Sequence, residues 1–223
     1  MNVIRRMKSS SHRLAGQQSG MAMVEFALCL PFVVTVTMMA AEITNFTTTK
    51  MRVSQLALQI ADNASRIGTG TLLSAKTISE KQINDLLTGA GLQAGKLNLY
   101  SNGRVILSSL QPGTTPGKYV IKWQRCKGAQ SVTSSYGNAS TTEINGITAN
   151  GANITAPSGG AVMFAEINYT YQPIISSAFV PTSAIKEIAA MTVRDSRDYS
   201  GGTNGIYNTE NATASSCSVY SAT

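Results

Sequence analysis

Sixteen consecutive uncharged residues, 26–41, lie between two carboxylates, Glu25 and Glu42, with Gly20 standing just ahead of them. At helical rise, residues 21–41 extend for about 31 Å, the thickness of a bilayer's hydrocarbon core. Such a run predicts a membrane-spanning helix. Pro31 within it removes one backbone hydrogen bond and predicts a bend or a local loosening, which membrane helices tolerate better than soluble ones. Glu25 is the awkward residue. A carboxylate deep in a membrane helix costs about 2.5–3.5 kcal/mol and less near the interface. Glu25 therefore needs either a partner for its charge or a snorkelling position at the membrane edge.

The segment before this run is basic. Arg5, Arg6, Lys8 and Arg13 all precede Gly20, and no acidic residue does. The formal charge of +7 comes largely from these four, because the rest of the chain holds 14 basic residues against 11 acidic, or +3. The basic character is thus no sign of nucleic-acid binding. It fits a segment retained on the cytoplasmic side of a membrane. A secretory signal places its cleavage site after the apolar core, whereas here the small residue comes before it. Cutting at Gly20 would leave the apolar helix on the mature chain as an anchor.

Beyond Glu42 the helical pattern continues. Val53, Leu56, Ala57, Ile60, Ala64 and Ile67 fall three and four apart with polar residues between them, an amphipathic stripe that wants a packing surface. Gly68 and Gly70 supply the stop. A second, short helix is expected from a capping box with Thr77 as N-cap and Glu80 reaching back, ending at Gly89 and Gly91. Then the period changes. Leu97, Leu99 and residues 105–107 flank Asn102-Gly103, a two-residue hairpin signal. Residues 118–126, 161–171 and 184–194 read as further strands. Residues 127–160, rich in Gly, Ser, Thr and Asn, read as a long loop with a small helix near 140–147. The fold class is α+β: a long transmembrane and stalk helix, then a small domain with an antiparallel sheet and one or two short helices. The expected divisions are a leader over 1–20, the helix over 21–67, the domain over 68–195 and a flexible tail over 196–223.

Catalytic patterns are missing. The single histidine, His12, lies in the leader, so the rest of the chain holds no imidazole base. No nucleophile elbow, phosphate loop or metal-ligand cluster occurs, and neither a cofactor nor a metal is expected. Asp195 and Asp198, beside Arg194 and Arg197, read as a solvated edge. Trp123 reads as a core residue, with a cation–π pair to Arg125 as the alternative. Of the three cysteines, Cys29 falls in the apolar helix, which leaves Cys126 and Cys217. They form either a disulfide, if that part of the chain lies outside the membrane, or two buried or free thiols.

Gly20, Met21 and Glu25, set in QSGMAMVEFALCLP, resemble the processing site of type IV pilin-like proteins, where a membrane-embedded aspartic prepilin peptidase cuts after the glycine. The Glu25-Phe26-Ala27 triplet, the Leu30-Pro31 step and the second acid Glu42 make the segment similar to the TadE/TadF pseudopilins of the tight-adherence (Tad) pilus. The resemblance continues through the amphipathic helix and through Trp123, Gln124, Arg125 and Cys126. It departs from the family in placing Met21 first after the cut. It implies a minor pilin needed for pilus initiation, tip formation or regulation, with Gly20, Met21 and Glu25 in processing and Glu25, Phe26, Pro31 and Glu42 in assembly. The partners implied are the bacterial inner membrane, the prepilin peptidase, other pilins and the Tad secretion machinery. The N-terminus would be cytoplasmic and the domain periplasmic, with the chain able to enter an extracellular pilus. On the charge the cut creates, the residues themselves offer a mechanism. Cleavage places a new ammonium on Met21, one turn from Glu25, which can neutralise it within the chain or on a neighbour. The rival reading is a bitopic periplasmic binding protein whose helix is an uncleaved signal anchor.

Overall fold

The computed structural model describes residues 19–71, 74–140, 142–149 and 151–222. The leader, apart from its last two residues, lies outside them, and with it His12. The described chain falls into two compact units, one of residues up to Asn45 together with Pro173–Val180, the other of Phe46–Gln172 with Pro181–Thr223.

Helix α1, Ser19–Arg66, begins in the first unit and runs through Pro31 without interruption. Thr35 and Thr37 return their hydroxyl hydrogens to the carbonyls of Pro31 (2.7 Å) and Val33 (2.9 Å), and Thr44 does the same to Ala40 (2.8 Å). These bonds let hydroxyls sit on an apolar helix without unmet polar groups. The other component of this unit is the segment Pro173–Val180, which carries a single 3-10 turn, Ser177–Phe179.

In the second unit the stripe on α1 does what its spacing requires. Val53, Leu56, Ala57, Ile60 and Ala64 are buried, and Ala61 completes the face. The helix stops at Arg66, ahead of Gly68, whose φ of +133° suits glycine. A two-residue strand β1 (Ile78–Ser79) leads into helix α2 (Glu80–Ala94). A 3-10 turn (Gly95–Leu97) and the one-turn helix α3 (Leu99–Asn102) follow. The main strands are β2 (Gly103–Pro112), β3 (Tyr119–Lys127), β4 (Glu143–Ile144), β7 (Val162–Thr170) and β8 (Ala184–Thr192). They form one antiparallel sheet in the order β4-β3-β2-β7-β8. Strands β5 (Ile147–Ala149) and β6 (Ala152–Ile154) make a small hairpin, and β9 (Ile206–Tyr207) pairs in parallel with β1.

Central strand β2 is buried along nearly its whole length, so both faces of the sheet are covered. On one face Leu110, Ile121, Val162 and Phe164 pack with Ile147 and Ala156, and Tyr136, Ile144 and Ile154 join from the segment between β3 and β7. On the other, Leu107 stands opposite Ala165 and Arg125. Arg125 pairs there with Glu80 in the first turn of α2, its Nε donating to Oε2 at 2.8 Å. An extra residue, Lys122, lies between the pairs Ser109–Trp123 and Leu110–Ile121. It forms a bulge that leaves Lys122 exposed and Trp123 buried.

Four local expectations are corrected. The N-cap of α2 is Ser79, not Thr77, with Gln82 completing the capping box at 3.3 and 3.1 Å. Pairing of Ile78 and Ser79 with β9 holds the chain extended two residues longer. The helix also runs past Gly89 and Gly91. A side chain at Gly91 would collide with the ring of Tyr100, 2.6 Å from the position of its Cβ, so this glycine gives clearance rather than a stop. Asn102-Gly103 is not a hairpin turn. Gly103 opens β2 in an extended conformation, φ −156°, and a Cβ there would lie 2.6 Å from the Asn168 carbonyl oxygen. The segment expected to be a small helix near 140–147 instead forms β4 and the start of β5, because Ile144 and Ile147 contribute to the apolar cluster over the sheet.

Candidate assembly helix and its two carboxylates

Gly20, Met21, Glu25, Phe26 and Pro31 all lie on the first part of α1, and all are exposed. So are Met23, Val24, Leu28, Phe32, Val33 and Val36. A helix exposed and apolar on every side finds its solvent in lipid or in other apolar helices. It is long and apolar enough to cross a membrane. The free thiol of Cys29 is part of the same exposed surface.

Met21 and Glu25 are four residues apart in the helix and therefore share a face. No described residue forms an ion pair with Glu25. Gly20 has no steric reason to be glycine: a Cβ built there meets no atom within 4 Å.

Glu42 stands in the opposite situation. It is 0% exposed. Its carboxylate accepts three consecutive backbone N–H groups, from Ile174 to Oε1 at 3.2 Å and from Ile175 and Ser176 to Oε2 at 2.6 and 3.3 Å. A fan of amides around one carboxylate is an anion nest, and charge-assisted bonds of this kind are the strong class. The two acids that bracket the apolar run thus have different chemistry. Glu42 is held by its own chain, while Glu25 remains presented to other molecules.

Cys126 and Cys217 form a disulfide across 91 residues. The bridge joins β3 to a C-terminal stretch that also receives the guanidinium of Arg104. This fully buried side chain donates to the carbonyls of Gly128 (2.9 Å), Val219 (3.0 Å) and Cys217 (2.7 Å), and it faces the ring of Tyr220 at 4.2 Å.

The charges around residue 195 do not form one solvated edge. Arg197 is buried and donates to the carbonyls of Ala64 (3.4 Å), Ser65 (3.1 Å) and Ile67 (2.6 Å), capping the C-terminal end of α1. Burial lowers its pKa. Asp195 pairs with Lys76 at 2.7 Å, which lowers the Asp195 pKa. Asp198 accepts from the Tyr207 hydroxyl at 2.5 Å and from Ser200 and Gly201, and these bonds hold its carboxyl well below the usual range. All three acts are structural, closing the domain around the helix end and β9. Likewise Arg125 is taken by Glu80, and Trp123 is a core residue. No group of acidic, histidine or cysteine side chains able to hold a metal occurs among the described residues.

Sequence reasoning did not find the nest around Glu42, the Arg104 clasp, the Arg197 cap or the Glu80–Arg125 pair. Each joins residues far apart in the chain, and no local pattern announces them.

Residues 20–62 match the family model described as TadE-like protein. No curated protein and no solved structure matches the chain. The matched segment is nearly all of α1 and includes Gly20, Glu25, Pro31 and Glu42. The match covers 43 of the chain's 223 residues, all of them on α1. The similarity to the TadE-like family thus lies in helix α1, from Gly20 to Asp62.

Proposed function

We propose that the chain is a minor pilin or pseudopilin of a Tad pilus, cut by a prepilin peptidase after Gly20 and acting in initiation, at the tip or in regulation of the filament. The observation that carries this reading is the matched helix itself. It pairs Gly20, around which a Cβ would meet open space, with an exposed carboxylate four residues after the new N-terminus. Cleavage would place an ammonium on Met21 one turn from Glu25. In the low-dielectric setting of a membrane or a helix bundle, that pair is far better than either charge alone. Within one chain it lowers the cost of leaving the membrane, and between chains it sets the axial register of neighbours.

The Cys126–Cys217 bridge supports a domain on the oxidising, periplasmic side, with the basic leader in the cytoplasm. The domain is bulky for a subunit repeated along a whole filament, which favours a position at initiation or at the tip. N-terminal sequencing and intact mass of the membrane-extracted protein test the reading. A mature start at Met21 supports it. An intact leader defeats it in favour of a signal-anchored periplasmic binding protein.

A further inference from the structure

We propose that the segment Pro173–Val180 is a second membrane contact, an interfacial loop whose apolar side chains enter the lipid beside the exit point of α1. This rests on the reading of α1 as a membrane span.

Depth is the first argument. Residues 21–41 are long enough to cross the hydrocarbon core, which sets Glu42 at its far boundary. The Glu42 carboxylate bonds directly to the amides of Ile174, Ile175 and Ser176, so the loop backbone lies at that same level. Side-chain chemistry is the second. Ile174 is 74% exposed and Ile175 42%, and Phe179 and Val180 are only half-buried. No charged residue occurs between Glu166 and Lys186. In water two adjacent exposed isoleucines are a liability, whereas at the headgroup boundary they are an anchor.

Backbone satisfaction is the third, and it separates a lipid neighbour from water. A loop surrounded by water can leave its amides to the solvent, but one that enters lipid must supply its own acceptors. Here the amides of Ile174, Ile175 and Ser176 are taken by Glu42. That of Ala178 is taken by the Ser176 hydroxyl, and those of Phe179 and Val180 by the carbonyls of Ser176 and Ser177, so that six of the seven amides from Ile174 to Val180 are answered within the chain, that of the exposed Ser177 being the exception. Pro173 and Pro181, at the two ends, have no amide hydrogen to satisfy. Glu42 is therefore the pin of the loop: a carboxylate placed where water is scarce, answering amides that would otherwise be stranded.

The test uses the full-length chain reconstituted in phosphatidylethanolamine/phosphatidylglycerol vesicles, prepared with ordinary or with chain-brominated lipids. Two variants, Ile174→Trp and Phe32→Trp, are read by tryptophan fluorescence after subtraction of the wild-type signal from Trp123. The exposed position of Ile174 accepts an indole and keeps its amide. Bromination is expected to dim both introduced indoles by roughly twofold or more, as burial in the acyl boundary requires. Quenching at Phe32→Trp without quenching at Ile174→Trp overturns the loop proposal and leaves the span standing. A blue-shifted but unquenched Ile174→Trp signal means that a protein neighbour covers the loop, which also overturns it. Absence of quenching at both sites overturns the span itself. Adding Glu42→Gln to Ile174→Trp is expected to weaken the quenching, and undiminished quenching overturns the role of Glu42 as the pin.

Discussion

Glu42 accepts the backbone N–H of Ile175 at 2.6 Å across 133 residues of chain, the shortest of three bonds in one nest. Replacement by glutamine keeps the shape but removes the charge and turns one acceptor into a donor facing amide hydrogens. Hydrogen exchange at Ile174, Ile175 and Ser176 in Glu42→Gln is expected to accelerate by about tenfold or more, with α1 itself unaffected. Equal protection in the two proteins would show that the nest forms without the carboxylate.

Charge reversal at Glu25 is expected to leave the cut largely intact while blocking assembly. Glu25→Lys would set a cation beside the ammonium that the proposed cut places on Met21 and replace attraction by repulsion. The variant should still start at Met21 by N-terminal sequencing, yet be depleted about tenfold or more from sheared pili or from pull-downs of partner pilins. Wild-type assembly in a Glu25→Lys strain would remove Glu25 from the mechanism.

The disulfide closes a long loop, Cys126 to Cys217, and is expected to stabilise the domain by about 2–5 kcal/mol. Cys217→Ser should lower the urea midpoint accordingly. It should also loosen the carbonyls that Arg104 holds, seen as faster exchange at residues 215–221. The same change produced by reductant in the wild-type protein checks that the bridge, not the serine, is responsible.

Arg197 meets the open carbonyls of the last turn of α1. Arg197→Ala leaves them buried without a donor and is expected to destabilise the protein by about 2–4 kcal/mol in urea or thermal unfolding of the full chain in detergent. Arg197→Lys keeps the charge but loses the fork that reaches Ala64, Ser65 and Ile67 together, and should recover only part of the loss.

Glu143 reports on acid sensitivity at the edge of the sheet. Hydrogen bonds from the side chain and backbone of Thr115, and then from Thr114, hold its carboxyl at about 2, against an ordinary 4.5. A lowered folded-state pKa means a stabilising contribution that is fully present above about 4.5 and lost as pH falls towards 2. Carbon NMR should place the Glu143 midpoint near 2. Thr115→Ala should move it upward, and the turn between β2 and β3 should loosen in the same acid window.

Much of the architecture is legible in the sequence. The stripe from Val53 to Ala64 revealed a packed helix face because its period is local. The β-branched and aromatic residues of β3, β7 and β8 revealed strands for the same reason. Turn and cap chemistry was less secure. Thr77 and Ser79 are both sound caps in isolation, and only the pairing of β1 with β9 decides between them. Asn102-Gly103 carries a genuine turn signal, but the close approach of the Asn168 carbonyl uses the glycine for clearance instead.

By itself the sequence determined that a long apolar helix exists and that its apolar run is bracketed by two acids. Hydropathy and helical period are sums over neighbours in the chain, and neighbours are what a sequence lists. Only the tertiary structure separated the two acids. Glu25 and Glu42 are the same residue type on the same helix, and their difference lies in the donors around them. Those of Glu42 arrive from amides 132–134 residues away. Glu25 meets none in ion-pair reach among the described residues. A carboxylate's role is set by what answers its charge, and that is a property of the fold.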